Sequence, residues 1–257
     1  MVPFKVVIPA RYASARLPAK PLLDIGGRPM IQWVIEAALQ SGADEVLVAT
    51  DDARIAAVAI DPRSGQSIAA MTGSEHLSGT DRIAEVARQR GWSRRTIVVN
   101  VQGDEPLLPP VLVGQVAALL EQHADAAIAT LSTPVNSLHE FLDPNVVKVV
   151  TSREGTALYF SRAPIPWNRD GAPQGLSSQV NFTGAQRHLG IYAYRVEALE
   201  QVTALLPGEL ELTEKLEQLR ALQAGMKLVV AVASAMPPAG VDTESDLIRV
   251  RAVLGVS

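Results

Sequence analysis

The sequence contains no cysteine among its 257 residues. This absence excludes disulfide bonds, thiolate metal ligands and a cysteine nucleophile, so any chemistry must depend on oxygen, nitrogen or a bound ion. Long apolar runs are also absent: residues 227–233 form a run with the length of a strand, far shorter than a membrane helix. The first residues do not have the layout of a signal peptide. We therefore expect a cytoplasmic protein that does not insert into a membrane.

Two common phosphate-binding fingerprints are missing as well. No Gly-x-Gly-x-x-Gly follows the first apolar run, which disfavours a nicotinamide-dependent oxidoreductase, and no Gly-x-x-x-x-Gly-Lys-Ser/Thr occurs. A formal net charge of -4 disfavours a nucleic-acid partner, because duplex binding depends on many phosphate-neutralising cations. The histidines show no His-x-x-x-His spacing, so a helical zinc site is not expected.

What the chain does contain is an alternation of short apolar runs with helical patterns. We predict strands over residues 5–9, 45–50, 68–71, 96–101, 126–131 and 227–233. We predict helices over residues 30–40, 80–90, 111–121, 211–224 and 243–254, and one that begins after residue 52. Such an alternation is typical of an α/β fold whose mostly parallel sheet is flanked by helices.

The pattern changes after residue 146. The apolar runs 146–150, 157–160 and 188–194 follow one another without a clear helix, which predicts a smaller antiparallel insertion. No internal repeat or linker divides the chain. We therefore expect a single domain over residues 1–257.

Three cationic side chains, Arg11, Arg16 and Lys20, follow the first predicted strand at short intervals. Prolines in this stretch oppose a continuous helix, so the cations should project from irregular backbone at the carboxyl end of the strand, where open α/β sheets bind ligands. Arginine offers a planar fork to phosphate and lysine a compact charge. The stretch predicts a polyphosphate-binding loop; the alternative is three solvated surface charges.

Asp104 and Asp242 are the candidate metal ligands. Asp104 follows the predicted strand 96–101, and a carboxylate there could hold Mg²⁺, which takes one or two protein carboxylates together with phosphate oxygens. The alternative is a turn that merely ends the strand. Asp242 precedes the last predicted helix, where either it or Thr243 could act as the N-cap. The residue pattern leaves capping and coordination open at Asp242.

Several further polar residues are candidates for substrate contacts. Ser78 and Thr80 begin a helix, where they could cap it or contact a nucleoside. His188 suits a substrate hydrogen bond, and Arg162 could meet a carboxylate. Glu217 and Gln218 lie in a predicted helix, where the alternative is that they only face water.

An ordered set of motifs runs along nearly the whole chain. They are Pro9-Ala-Arg-Tyr-Ala-Ser-Ala-Arg-Leu-Pro-Ala-Lys-Pro-Leu22, Gly27-Arg-Pro-Met30, Ser78-Gly-Thr-Asp-Arg82, Asn100-Val-Gln-Gly-Asp-Glu-Pro106, Tyr159-Phe-Ser-Arg162, Arg187-His-Leu-Gly-Ile-Tyr192, Leu216-Glu-Gln-Leu-Arg220 and Gly240-Val-Asp242. Together they closely resemble the 3-deoxy-manno-octulosonate cytidylyltransferase (CMP-Kdo synthetase) family. Each motif is only moderately specific, but their shared order makes the resemblance strong.

The resemblance implies a Rossmann-like nucleotidyltransferase, usually a homodimer, that converts CTP and 3-deoxy-manno-octulosonate (Kdo) into CMP-Kdo and pyrophosphate for lipopolysaccharide assembly. It implies Mg²⁺ as the cofactor, and residues 132–195 as a substrate-binding and dimerisation subregion. The implied catalytic residues are Arg16, Lys20 and Asp104, and the implied metal ligands are Asp104 and Asp242. The implied nucleotide-binding residues are Arg11, Arg16, Lys20, Ser78, Gly79 and Thr80. The implied sugar-binding residues are Gln102, Arg162, His188, Tyr192, Glu217 and Gln218.

The chain departs from the family pattern near the expected cytosine site. Leu77 stands where glutamine is frequent, Gly73 stands where arginine is common, and the segment 60–68 is slightly longer than usual. Three alternatives stay open: a sibling cytidylyltransferase for another sugar acid such as sialate or an amino-Kdo variant, an oxidoreductase, and a nucleotide-binding module without turnover.

Overall fold

The computed structural model describes residues 2–13, 17–76, 78–172 and 174–256. The strands are β1 (Lys5–Pro9), β2 (Asp24–Ile25), β3 (Arg28–Pro29), β4 (Glu45–Thr50), β5 (Ala69–Met71), β6 (Ile97–Asn100), β7 (Ile128–Pro134), β8 (Lys148–Thr151), β9 (Ala157–Ser161), β10 (Gln186–Arg195) and β11 (Leu228–Val232). The helices are α1 (Met30–Leu39), α2 (Ala53–Val58), α3 (Gly79–Gln89), α4 (Pro110–Gln122), α5 (Leu138–Leu142), α6 (Val196–Ala204), α7 (Glu209–Glu214), α8 (Gln218–Gln223) and α9 (Glu244–Leu254). Short 3-10 turns span Lys20–Leu22 and Leu176–Ser178.

Nine of these strands form one sheet, whose main path has the order β11-β7-β10-β6-β1-β4-β5. The strands β6, β1, β4 and β5 are parallel neighbours, and β11 is parallel to β7. The long strand β10 lies antiparallel between β6 and β7, and it also pairs with β8, which pairs with β9. The predicted fold class is therefore confirmed, and one strand of the antiparallel part lies in the middle of the sheet.

Both faces of the central strands are buried. Along β1, Val6 and Ile8 pack into one hydrophobic core while Val7 packs into the other, on the opposite face of the sheet. This explains why these strands appear in the sequence as continuous apolar runs rather than as an alternation. The helices that supply the outer halves of the two cores include α1 and α4 for the first, and α3 and α6 for the second.

One predicted helix was wrong, and two helices were not predicted. The predicted helix 211–224 is divided into α7 and α8, because Lys215 adopts a left-handed backbone conformation with φ 54° that an α-helix cannot contain. The short helix α5 was not predicted, and neither was α6. Helix α6 follows β10 without an intervening turn, and Arg195 at its N-cap makes no capping hydrogen bond, so no start signal separates it from the strand.

Within the described residues, no helix is both long enough and apolar enough to cross a bilayer. The segment 60–68 forms a small surface turn closed by the hydrogen bond from Asp61 N to Gln66 O at 2.9 Å. This turn precedes β5, which is parallel to β4 as β4 is to β1, so the turn lies at the edge of the sheet opposite the carboxyl end of β1.

Candidate active site

A cleft of about 410 Å³ lies where the loops that follow β1 and β6 meet the first turn of α3. Parallel strands present their carboxyl ends at one edge of the sheet, so both loops reach the same place. The described residues that line the cleft are Pro9, Ala10, Arg11, Lys20, Pro21, His76, Ser78, Gly79, Thr80, Arg82, Asn100, Gln102, Gly103, Asp104 and Glu217.

Lys20 connects the two candidate metal ligands. Its Nζ donates to Asp104 Oδ2 at 2.8 Å and to Asp242 Oδ1 at 2.9 Å. Burial alone would lower the pKa of the Lys20 ammonium, but the charges of Asp104 and Asp242 and their hydrogen bonds raise the pKa above its ordinary value. The lysine is therefore charged at neutral pH, and the two aspartates face one positive charge from two sides.

The capping question at Asp242 is resolved by the start of α9. Thr243 is the N-cap: its side chain accepts from Asp246 N, and the Asp246 side chain accepts from Thr243 N, which forms a capping box. Because Thr243 satisfies the first turn of the helix, the Asp242 carboxylate reaches Lys20 instead. Val241 N donates to Asp104 O at 2.9 Å, which fixes the Asp242 segment beside the Asp104 loop.

The carboxylate pair suits a hard divalent cation. Asp104 and Asp242 already hold a cationic nitrogen between them, and their oxygens are the donors that Mg²⁺ prefers. Within the described residues no group of three or more His, Cys, Asp or Glu side chains has the arrangement of a metal site. An ion held by this pair would therefore take its other ligands from phosphate and water, which is the usual condition of Mg²⁺ in nucleotide sites.

The basic loop contributes Arg11 to the lining of the cleft beside Lys20. Arg16, the third predicted cation, lies outside the described residues, as does Leu77. The backbone of this loop is anchored by the hydrogen bond from Ala19 N to Tyr12 O at 3.2 Å. Ala19 adopts a left-handed conformation with φ 56° immediately before the 3-10 turn that begins at Lys20.

The first turn of α3 forms another wall of the cleft. Ser78 is its N-cap and forms a capping box with Asp81, so the capping interpretation of Ser78 is confirmed. Gly79 lies close to the end of β1, and a Cβ at this position would lie 3.1 Å from Pro9 Cγ. The absence of a side chain at Gly79 therefore lets the helix start approach the strand end. Thr80 is buried beside it.

Glu217 and Gln102 bring polar atoms to the cleft from two other directions. The Glu217 Oε1 atom is buried without a hydrogen-bond partner among the described residues. Burial raises the pKa of the Glu217 carboxyl, an effect that the hydroxyls of Thr80 and Ser78 oppose. Gln102 Nε2 donates to Asn100 Oδ1 at 3.3 Å. A buried oxygen without a donor is a natural acceptor for the hydroxyl of a ligand.

His188 and Tyr192 form part of an aromatic row along β10. The ring centroids of His188 and Tyr192 are 5.2 Å apart, and those of Tyr192 and Tyr194 are 5.8 Å apart. His188 Nε2 lies 2.9 Å from Thr130 Oγ1. Burial lowers the pKa of His188 to about 3, so the imidazole is neutral and can donate or accept a hydrogen bond but cannot supply a positive charge.

Four of the predicted sugar-binding residues lie outside the described lining of the cleft: Arg162, His188, Tyr192 and Gln218. Tyr192 is directly opposite Asn100 in the pairing of β10 with β6, and Gln218 begins α8 next to Glu217. Arg162 is held by backbone carbonyls, since its Nε donates to Glu214 O at 2.6 Å and its Nη1 to Pro144 O at 2.9 Å.

Three lining residues with polar side chains were not assigned a role from the sequence: His76, Arg82 and Asn100. Asn100 ends a buried strand, and Arg82 is a buried charge on α3 that donates to Asp51 Oδ2 at 2.7 Å. The sequence signal for Arg82 was its position one residue after the capping aspartate Asp81, which places it in the first turns of a helix. Nothing in the local pattern distinguishes His76 from an ordinary loop residue.

Comparison with known proteins identifies the family. A family model described as Cytidylyltransferase matches residues 5–228. The 3-deoxy-manno-octulosonate cytidylyltransferase of Thioalkalivibrio sulfidiphilus is 55% identical over 251 residues, which cover 98% of this chain and 98% of that protein. The protein of the same name from Xanthomonas euvesicatoria pv. vesicatoria is 56% identical over 250 residues, covering 96% and 94%. The chain belongs to the 3-deoxy-manno-octulosonate cytidylyltransferase family.

A solved structure supports the same assignment at the level of the fold. The structure of CMP:2-keto-3-deoxy-manno-octonic acid synthetase complexed with CTP superposes with a TM-score of 0.85 at 40% sequence identity, and the match covers 99% of each chain. The Rossmann-like nucleotidyltransferase fold that the family resemblance implied is therefore confirmed, as is membership of a transferase family.

Proposed function

We propose that this protein transfers CMP from CTP to the anomeric hydroxyl of Kdo, giving CMP-Kdo and pyrophosphate. The observation that carries the proposal is the meeting of Lys20, Asp104 and Asp242 within hydrogen-bond distance at one cleft, in a chain about 55% identical to proteins of that name. A nucleoside triphosphate needs both cationic side chains and a carboxylate-held ion. The product would serve lipopolysaccharide assembly, and the reaction would take place in the cytoplasm.

The triphosphate would bind at the end of the cleft that contains Arg11 and Lys20, with Arg16 completing the basic loop. Lys20 and Arg16 would act as catalytic cations, because they stabilise the charge that develops as the bond to the leaving pyrophosphate breaks. Asp104 and Asp242 would hold Mg²⁺, which when bound supplies further positive charge against the phosphates. The nucleoside would lie against Ser78, Gly79 and Thr80, on the opposite wall.

Kdo would bind between the end of β6 and β10. Gln102 and Glu217 reach the cleft directly, and the unpartnered Glu217 Oε1 would accept from a sugar hydroxyl. His188 and Tyr192 would contact the sugar from the aromatic row, with Gln218 and Arg162 next to them. His188 would act in its neutral form, since its pKa of about 3 excludes an imidazolium at neutral pH.

The reaction would be a direct displacement. The Kdo anomeric oxygen attacks the α-phosphorus of CTP in line, the new P–O bond forms, and the bond to the bridging oxygen breaks with its electron pair leaving on pyrophosphate. The sugar hydroxyl gives up its proton to water in this step. No covalent intermediate with the protein is needed, so this chain contributes mainly by positioning the substrates and by stabilising charge.

The subregion 132–195 is also a candidate dimer interface. Four large apolar side chains are exposed in it: Leu158, Trp167, Leu176 and Val180. Exposed large apolar side chains are candidates for burial between subunits. We expect a homodimer that contains this surface. Sedimentation of the wild type and of Leu158→Asp with Val180→Asp should give a dimer and a monomer respectively; a monomeric wild type would contradict the assignment.

An assay of substrate choice tests the proposed reaction. The purified protein is incubated with each of the four nucleoside triphosphates in turn, Mg²⁺ and Kdo, and pyrophosphate release is measured together with the mass of the product. Release with CTP and Kdo, and formation of CMP-Kdo, is the expected result. Pyrophosphate release that does not depend on Kdo, or a nucleotide adduct only with sialate or an amino-Kdo variant, would overturn the proposal.

A further inference from the structure

The side wall of the cleft is formed by a segment with no helix or strand of its own. Residues 72–76 run irregularly from the end of β5 toward the N-cap of α3, and His76 at the end of this segment lines the cleft. Irregular backbone holds a fixed shape only where other groups satisfy its hydrogen bonds. The side chains that hold this segment therefore also determine what the wall presents to a ligand.

Three side chains on one face of α3 hold this segment and the end of β5. Arg82 Nη1 donates to Thr72 Oγ1 at 2.7 Å and to Gly73 O at 3.0 Å. Glu85 Oε2 accepts from Gly73 N at 2.9 Å, and Gln89 Nε2 donates to Met71 O at 2.9 Å. The spacing of Arg82, Glu85 and Gln89 is that of successive turns of a helix, so one face of α3 holds the end of β5 together with Thr72 and Gly73.

Glu85 also determines which ring nitrogen of His76 carries a proton. The His76 Nε2 atom lies 2.5 Å from Glu85 Oε2. Burial opposes ionisation of Glu85, but the hydrogen bonds from Gly73 N and His76 lower the pKa of Glu85 below its ordinary value, so this carboxyl is an ionised, acceptor-only group. Nε2 must therefore carry the proton, and in the neutral imidazole Nδ1 is then an acceptor. Among the described residues, no hydrogen bond to Nδ1 is formed.

We infer that His76 is a specificity-determining residue whose Nδ1 accepts a hydrogen bond from the 4-amino group of the cytosine base. The inference rests on the proposed function, which puts the triphosphate at the Arg11 and Lys20 end and the base against the wall formed by His76 and the first turn of α3. Cytosine presents an amino donor at its 4 position, whereas uracil presents a carbonyl acceptor there. A fixed acceptor in the wall favours cytosine, whose amino group can donate to it. With uracil, two acceptors would face each other.

The test compares CTP with UTP and with the CTP analogue that carries hydrogen in place of the 4-amino group. In His76→Phe, kcat/KM for CTP should fall about tenfold or more, while kcat/KM for UTP stays within about threefold. For the wild type, kcat/KM should be lower by a similar factor with the analogue that has hydrogen at position 4 than with CTP. His76→Phe should use this analogue and CTP equally well. Lys20→Met is the matched control, because it should lower the use of CTP and UTP by the same factor.

The inference would be overturned if His76→Phe lowered kcat/KM for CTP and UTP by the same factor. It would also be overturned if the wild type used CTP and the analogue with hydrogen at position 4 equally well. A second measurement does not depend on the variant or on turnover. In the wild type labelled with ¹⁵N at histidine, the Nδ1 resonance of His76 should shift on addition of CMP and not of UMP, which a purely structural histidine would not do; no shift with CMP would also overturn the inference. If the wild type forms no CMP-Kdo, the proposed function fails, and this binding measurement still decides the role of His76.

Discussion

Lys20 and Asp104 are 84 residues apart in the sequence, yet Lys20 Nζ lies 2.8 Å from Asp104 Oδ2. The same nitrogen lies 2.9 Å from Asp242 Oδ1, 222 residues away. The three residues follow β1, follow β6 and precede α9 respectively, and the parallel arrangement of β1 and β6 brings their loops together. A lysine that bonds two carboxylates can also compete with any other cation for them.

Asp104→Asn should reduce turnover far more than it weakens Kdo binding. The substitution removes a negative charge from the pair that would hold the divalent ion, while the proposed sugar-binding residues stay in place. We expect kcat to fall about 100-fold or more at saturating Mg²⁺, with KM for Kdo changed less than about threefold. Asp61→Asn, on an exposed surface turn, is the matched control. Near-normal turnover of Asp104→Asn would contradict the metal role.

Lys20→Met should separate two effects of the lysine. It should lower kcat/KM for CTP by about 100-fold, because a cation is removed from the triphosphate end of the cleft. In the absence of nucleotide, however, it should tighten binding of Mn²⁺ or Mg²⁺, because the ammonium no longer competes for Asp104 and Asp242. Calorimetric titration of the nucleotide-free protein measures this affinity. Weaker metal binding in the variant would contradict direct competition.

His188 makes the stability of the protein depend on pH. The pKa of this histidine is about 3 in the folded protein and 6.5 when unperturbed, so below pH 6.5 the unfolded chain binds a proton that the folded protein excludes. Stability should therefore fall as the pH decreases from 6.5 toward 3, by up to about 1.4 kcal/mol per pH unit. Urea unfolding at pH 6.5 and pH 5 should show a smaller loss for His188→Gln than for the wild type. Equal losses would contradict the assignment.

Lys148→Met should destabilise the fold, and Lys148 is not among the residues that line the cleft. The buried Lys148 ammonium donates to three backbone carbonyls: Asp143 O at 2.9 Å, Val146 O at 2.5 Å and Arg162 O at 2.7 Å. Removing the donor leaves these oxygens unsatisfied, and we expect the free energy of unfolding to fall by about 3 kcal/mol. Lys5→Met, at a surface ion pair with Asp44, should change it by less than about 0.5 kcal/mol. Similar values for the two variants would contradict the role of Lys148.

Much of the central sheet could be predicted from the sequence. The bounds of β1 and β4 agree with the apolar runs 5–9 and 45–50, because strands buried on both faces leave continuous apolar segments. The pairing of β10 between β6 and β7 could not be predicted in this way. Its order in the sheet depends on contacts between segments far apart in sequence, and the local pattern of β10 carries no information about its neighbours.

Residue identity allowed several of the residues that line the cleft to be predicted, but not the geometry of the cleft. The basic loop and Asp104 follow a pattern that predicts phosphate and metal binding. At Asp242 the sequence left capping and coordination open; the capping box of Thr243 and Asp246 excludes Asp242 as the N-cap, and coordination by Asp242 stays a prediction. The split of α7 and α8 at Lys215 depends on a left-handed residue that is not glycine, for which the sequence offers no signal. His76 becomes notable only because Glu85, on a neighbouring helix, holds its ring.

The fate of the sugar oxygen tests the proposed displacement most directly. Kdo is labelled with ¹⁸O at its anomeric hydroxyl and converted with CTP by the wild-type protein, and the product is measured by mass spectrometry. The proposed mechanism predicts that CMP-Kdo retains the label, in the oxygen that joins the sugar to the phosphorus, and that pyrophosphate contains none. Loss of the label from CMP-Kdo, or its appearance in pyrophosphate, would contradict attack of the Kdo hydroxyl on the α-phosphorus.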